Sequence, residues 1–204
     1  MKLFRPVGAK EMDLIMNTGN RRFPARLPEQ SIFYPVLNID YAVQIARDWN
    51  AKDEKSGYVG FVLSFDVDDY YISKFEIQQA GSSIHQEYWI PAEELVIFNQ
   101  NIQKNILIAE AYYGNDYTGK ALINTTLQGK SYSEQLIYLK NLKESNIMEY
   151  TCEVLAQWKI ISQNYFLWKE NDYLFVNIQN IDKENLLMSM KKILKENLKW
   201  FIME

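Results

Sequence analysis

From Tyr58 to Val67 the chain reads Tyr-Val-Gly-Phe-Val-Leu-Ser-Phe-Asp-Val, an almost unbroken apolar run. A run of that length is a strand covered on both faces, and it predicts the centre of a sheet. Shorter apolar or alternating stretches predict its neighbours: Leu3–Val7, Ile32–Val36 with Pro35 suited to an edge, Phe75–Gln78, Glu87–Ile90, and Ile106–Tyr112 closing the sheet. Helical spacing appears between them. Met12, Leu14, Ile15 and Met16 predict a helix over 9–18 that stops at Gly19. Ala42, Ile45, Ala46 and Trp49 predict a second, capped by Asn38 or Asp40. Asp68 to Lys74 reads as a turn or short helix, and Pro91 opens a helical turn that runs on to Phe98.

Beyond residue 114 the pattern changes. None of the eight glycines or five prolines follows Gly129, and all five arginines lie at or before Arg47. Without turn-forming residues, the period of the apolar positions predicts helices. Ser133 is a candidate cap for 134–143, where Leu136, Leu139 and Leu142 share a face. Asn146 is a candidate cap for a longer helix from Ile147 to about Asn164. Tyr173–Ile178 predicts one strand. Asp182 caps a last amphipathic helix over 183–200, with Leu186, Leu187, Met190, Ile193, Leu194 and Leu198 as its stripe. Lys191, Lys192, Lys195 and Lys199 fall in its last half, where the helix dipole favours cations. The expected organisation is an α+β domain over 1–114 and a mainly helical C-terminal region over 115–204 packed on it.

Composition narrows the chemistry. At 204 residues and 48% apolar, the chain can bury a core. Its net charge of −4 argues against a nucleic acid as a stable partner. A single cysteine, Cys152, excludes an intrachain disulfide and reads as a small buried apolar residue in a reducing compartment. No stretch has the length of a membrane-spanning helix, and the N-terminus has no apolar signal segment; the expected location is the cytoplasm, with no membrane partner. With one histidine and one cysteine, a Cys/His zinc site is excluded, and no metal is expected. Neither G-x-x-x-x-G-K-[ST], G-x-G-x-x-G nor G-x-S-x-G occurs.

One polar word stands at the start of a predicted strand: His85-Gln86-Glu87, followed by Tyr88-Trp89-Ile90-Pro91. A carboxylate on a strand rim is held on a rigid element, as a site requires. Arg5 on the first strand and Tyr34 on the second complete a possible constellation. An arginine binds a pyrophosphate bidentately, a tyrosine stacks on a flat ring, and a glutamate bonds a ribose hydroxyl and stabilises an oxocarbenium-like centre. Each also has a plain structural reading: Arg5 as half of an ion pair, Tyr34 and Glu87 as ordinary strand positions, His85 as a hydrogen-bonded structural residue. Arg21, Arg22 and Arg26 share a loop with two prolines and read either as solvated or as a set that meets an anion or a partner.

The words Phe4-Arg5-Pro6-Val7-Gly8, Phe23-Pro24-Ala25-Arg26-Leu27-Pro28, Phe33-Tyr34-Pro35-Val36-Leu37-Asn38, Ile45-Ala46-Arg47-Asp48-Trp49-Asn50 and His85 through Leu95 make residues 1–112 resemble a bacterial family labelled "ADP-ribosylation/crystallin J1". The order of elements is similar to that of the ADP-ribosyltransferase fold, which implies a split mixed sheet with flanking helices. The resemblance implies NAD as substrate, with Glu87, Gln86 and His85 in catalytic positions and Arg5, Tyr34 and Arg26 binding it. The first-strand word is Arg-Pro-Val where such transferases carry His-x-Thr, and no Ser-Thr-Ser word is present. The expected function is transfer of ADP-ribose to a macromolecular or nucleotide target. The alternative is a non-catalytic interaction protein on the same fold, such as an immunity protein or antitoxin, meeting a protein partner through the aromatic-rich C-terminal region.

Overall fold

The computed structural model describes residues 1–119, 125–171 and 183–198. The first compact unit, Met1–Tyr117, is mixed α+β. Its elements in order are β1 (Lys2–Val7), α1 (Ala9–Met16), β2 (Ile32–Phe33), α2 (Ile39–Asp48), β3 (Val59–Asp66), α3 (Asp69–Ile72), β4 (Ile77–Gln79), β5 (Gln86–Tyr88), β6 (Ile90–Pro91), α4 (Leu95–Gln100) and β7 (Leu107–Tyr113). The apolar run at 58–67 is the centre of the three-stranded sheet β1-β3-β7, as its pattern predicts. Arg5 lies opposite Leu63, and Gly60 opposite Tyr112.

The two faces of β3 are covered by different means. On one, Leu3, Phe61, Leu63 and Phe65 meet the buried Met12, Ile15 and Met16 of α1 and an aromatic cluster, with Phe23 4.9 Å from both Phe33 and Phe65 and Phe33 5.1 Å from Phe98. On the other, Val62 packs with Val36 and with Tyr41, Ala42 and Ala46 of α2. Gly60 permits the second contact, because a Cβ there would overlap the Ala46 carbonyl. Asn38 caps α2 by accepting from the Asp40 amide at 2.8 Å. Every described strand pair is antiparallel, so the expected mixed sheet does not form. A two-sided apolar strand needs cover on both faces, which α1 and α2 supply, and its pattern does not fix the direction of its neighbours.

Three local expectations in this unit change. The strand expected over 32–36 keeps regular pairing only at Ile32 and Phe33, then returns at Val36 as a bridge to both Phe4 and Glu87. Trp49, expected on the buried face of α2, is 59% exposed. The helix ends at Asp48, and Trp49 leaves its helical phase at φ −118°, ψ −64°. The strand expected from Phe75 starts at Ile77.

The second compact unit, Thr118–Phe201, is helical where described: α5 (Tyr132–Ser145), α6 (Ile147–Ala156), α7 (Trp158–Glu170) and α8 (Lys183–Asn197). The cap of α5 is Ser131 rather than Ser133. Ser131 stands three residues before Glu134, and the two side chains form a reciprocal capping box that Ser133, inside the first turn, cannot. Asn146 caps α6 by accepting from the amides of Met148 and Glu149, both at 3.2 Å. The long helix expected from Ile147 to Asn164 is broken at Gln157 (φ −98°, ψ 16°), a break no glycine or proline signals.

Cys152 is exposed, which corrects its reading as a core residue. Tyr150 and Val154 face the core, and two residues along a helix turn a side chain about 200° away. Of the tail aromatics, Trp168, Tyr165 and Phe166 are buried and Trp158 is half-buried. Leu186, Leu187, Met190 and Leu194 form the buried stripe of α8. The strand expected over 173–178, the cap at Asp182, and Tyr173, Phe175, Trp200 and Phe201 lie outside the described residues. Among the described residues no helix is long and apolar enough to cross a membrane.

Candidate functional site

Segments 31–37 and 86–92 run antiparallel along their whole length. Ile32 opposes Pro91, Phe33 opposes Ile90 and Val36 opposes Glu87 in a single register. That register sets Tyr34 opposite Trp89, and their rings meet edge to face at 6.2 Å. Beside this ribbon, β1 exchanges two bonds with Val36: the Phe4 amide donates to the Val36 carbonyl at 2.9 Å and the Val36 amide to that of Phe4 at 2.8 Å. The next bonded pair of an antiparallel ladder is Pro6 with Tyr34. Pro6 has no N–H, so the ladder stops and the Tyr34 carbonyl needs another donor. Arg5 Nη1 supplies it at 3.2 Å.

Arg5 is buried, 7% exposed, although it carries a charge. Its Nε and Nη2 donate to Glu11 Oε1 and Oε2 at 2.9 and 3.2 Å, a bidentate pair with the first turn of α1, and its guanidinium lies 4.5 Å from the Phe33 ring centroid. Arg26 approaches the same carboxylate, with Nη1 3.8 Å from Glu11 Oε1. Its Nε is buried with no hydrogen-bond partner. Burial, and then the neighbouring Arg5 charge, lower its pKa against the pull of Glu11 and Tyr34. Two guanidiniums thus share one carboxylate, which leaves this corner with excess positive charge.

Glu87 sits on β5, 8% exposed. Its Oε1 accepts from the Trp89 indole Nε1 at 2.8 Å, two residues on and on the same strand face. Its Oε2 accepts a long 3.5 Å bond from the Tyr41 hydroxyl of α2. Burial, then the Glu87 charge, raise the Tyr41 pKa. His85 stacks on Tyr41 with ring centroids 4.3 Å apart. Its Nδ1 accepts from the Ser82 amide at 3.2 Å, which leaves Nε2 to donate to Gln44 Oε1 at 2.8 Å. Both ring nitrogens therefore hold the 80–85 loop and α2 in place. Gln86 is exposed, and its backbone carbonyl accepts from the Leu37 amide at 3.0 Å.

Where the ladder stops, a cavity of about 280 Å³ opens, lined by Arg5, Pro6, Tyr34, Val36, Ile45 and Glu87. Three of the six expected site residues, Arg5 of β1, Tyr34 just after β2 and Glu87 of β5, line it. His85, Gln86 and Arg26 do not: His85 stands behind Tyr41, Gln86 faces outward, and Arg26 reaches the site through Glu11. Sequence reasoning missed Glu11, Trp89 and Tyr41 as parts of the site, while the backbone donor that Pro6 removes beside Arg5 was legible. Trp89 carries a legible signal, two residues from Glu87 in a strand. Glu11 carries one only in part, since an acid in a first helical turn is ordinary. Chemically, the cavity offers a buried carboxylate on one side, a guanidinium on the other and a 38%-exposed phenol at the rim.

The class so defined is an α+β protein with small antiparallel sheets and a half-open cavity at the edge of β1. Compared with known family models, curated proteins and solved structures, the chain matches none.

Proposed function

We propose that the first unit carries an ADP-ribosyltransferase-like site that takes NAD. The observation that supports this reading is the convergence of Arg5, Tyr34 and Glu87 on one cavity. At about 280 Å³ it lies at the small end of ligand sites, the size of a ring and a sugar rather than a whole dinucleotide. The nicotinamide and its ribose enter, with the ring against Tyr34. The phosphates lie outside toward Arg5 and Arg26, whose charge Glu11 only partly balances. A ribose hydroxyl takes the place of the 3.5 Å Tyr41 bond on Glu87. In transfer the bond from ribose C1′ to nicotinamide nitrogen breaks and the electron pair leaves with nicotinamide. Glu87 stabilises the oxocarbenium-like sugar until a nucleophile on the acceptor bonds to C1′ and gives up its proton. The test is nicotinamide release from NAD by the purified chain. Glu87→Gln is expected to abolish it, and turnover unchanged by that substitution removes the site assignment.

A second reading rests on a different observation: Arg5 Nε, Nη1 and Nη2 and both His85 nitrogens are all bonded within the fold. That is the pattern of a non-catalytic interaction protein, such as an immunity protein or antitoxin, whose exposed Tyr34–Trp89 pair would meet its partner. A ligand that binds only the folded state must raise its melting temperature. A shift with NAD favours the first reading, and none at millimolar NAD favours the second.

A further inference from the structure

We propose a second ligand site in the first unit, for a small phosphate monoester carrying a flat or apolar group, in a two-chambered groove between the turn at 18–23 and the chain around α4. It is separate from the Arg5–Glu87 cavity and independent of the reading given for that cavity.

The polar chamber, about 300 Å³, is lined by Arg21, Arg22, Gln100, Gln103, Lys104 and Asn105 among others, and no acidic residue lines it. In a chain of net charge −4, an acid-free cavity with three cations is a concentrated exception. Among the described residues, neither the Arg21 nor the Arg22 guanidinium has an ion pair or hydrogen bond. Lys104 pairs with Asp66 at 3.0 Å in the open, 76% exposed, where such a pair is readily exchanged. The second chamber, about 280 Å³, adjoins the first: Arg22, Asn99 and Gln100 line both. Its remaining walls are Phe23, Ala25, Ala92, Leu95 and Val96, all apolar.

The turn between them is fixed before any ligand arrives. Thr18 Oγ1 accepts from the amides of Arg21 and Arg22 at 3.2 and 3.0 Å and donates to the Ile15 carbonyl at 2.7 Å. Gly19 and Asn20 take left-handed φ of 69° and 59°. The Asn99 side chain brackets Phe23, accepting from its amide at 2.8 Å and donating to its carbonyl at 3.0 Å. Consecutive side chains of an extended chain diverge; here both arginines line one chamber.

The chemistry selects the ligand. Guanidiniums match the oxygens of a phosphate, and a dianion uses more than one cation, with carboxamides as further donors. The adjoining apolar chamber takes a ring or short hydrocarbon attached to that phosphate. A free inorganic anion fills only half of the groove.

The probes are phenyl phosphate, inorganic phosphate and phenol, each titrated at low and constant ionic strength, with binding followed by calorimetry. Phenyl phosphate is expected to bind, at least about tenfold more tightly than inorganic phosphate or phenol, a difference of about 1.4 kcal/mol. The Arg21→Ala/Arg22→Ala double variant is expected to lose about tenfold or more in affinity, and Lys104→Ala less. Glu87→Gln, in the other cavity, is expected to bind phenyl phosphate as the parent does. Circular dichroism checks that the double variant folds; if it does not, Arg22→Gln alone is expected to show the loss. No binding of phenyl phosphate, equal binding of inorganic phosphate, or affinity retained in a folded arginine variant each overturns the site.

Discussion

Trp89 and Glu87 are joined within one strand segment: the indole Nε1 stands 2.8 Å from Oε1, with Trp89 48% exposed and Glu87 8%. The tryptophan roofs the carboxylate and keeps it bonded away from water. Trp89→Phe keeps the ring and removes the donor, so a buried acceptor loses its shorter bond. The expected cost is about 1–3 kcal/mol, read as a lower urea midpoint with an unchanged slope. A variant as stable as the parent would mean that water replaces the indole without loss.

Arg5 is expected to matter first for stability. Arg5→Met fills similar space but leaves Glu11 without its bidentate partner and the Tyr34 carbonyl without a donor. Removing one partner of a buried pair costs about 3–5 kcal/mol. Glu11 is 23% exposed and still faces Arg26, which places this case near the low end of that range. Arg5→Lys is expected to recover only part, since an ammonium cannot form the fork. Chemical denaturation of both variants checks the order.

Gly60→Ala sets a methyl group against the Ala46 carbonyl and lifts α2 from β3. Overpacking of this kind costs about 1–3 kcal/mol or more, because the obstacle is backbone. Since Tyr41 and Ile45 belong to α2, the same change is expected to disturb the Glu87 cavity. Faster amide exchange in 39–48 would show it; parental exchange and parental stability would exclude it.

Burial, and next the Glu94 carboxylate, push the Tyr71 pKa up to about 12 from an ordinary value near 10. A raised folded pKa means stability is fully present below pH 10 and is lost as the pH rises through about 12. Tyr41 and Tyr88 shift in the same direction. Tyr71→Phe is therefore expected to flatten, without abolishing, the fall in stability across that window. Melting temperatures at several values between pH 9 and 12 measure it.

In the second unit, Asn146→Ala removes the acceptor for two amides at the start of α6, with an expected loss of about 1 kcal/mol. Ser133→Ala lies inside the first turn of α5 and is expected to change stability by less than about 0.5 kcal/mol, since Ser131 is the cap. A larger effect at Ser133 than at Asn146 would contradict the capping geometry.

Features set by local periodicity were legible in the sequence. The apolar run at β3 and the stripe Leu186–Leu194 of α8 follow from spacing, and of the two caps open for α2, Asn38 or Asp40, the structure takes Asn38. What escaped was a local phase or stop in two cases and a pairing between segments in the rest. Cys152 reads as apolar by type, but its phase relative to Tyr150 and Val154 turns it outward. Trp49 falls on the apolar face until the helix stops one residue short of it. In the site, Arg5, Tyr34 and Glu87 were nameable as residue types suited to one ligand, and the structure places them on one cavity. That Glu11 occupies Arg5 and Gln44 holds His85 Nε2 depends on which segments pack together, whereas the Ser82 amide reaches His85 Nδ1 from within the same loop.

The missing N–H of Pro6 reaches further than one bond. The gap it leaves is written in the main chain, so Tyr34, the exposed residue of the cavity wall, can vary the ligand accepted with little cost to the core. Restoring an amide there, as in Pro6→Ala, would give the Tyr34 carbonyl a main-chain donor and free Arg5 Nη1, while Nε and Nη2 stay on Glu11. One imino acid thus sets the division of labour at this edge: it denies the sheet a rung and gives the surface an opening.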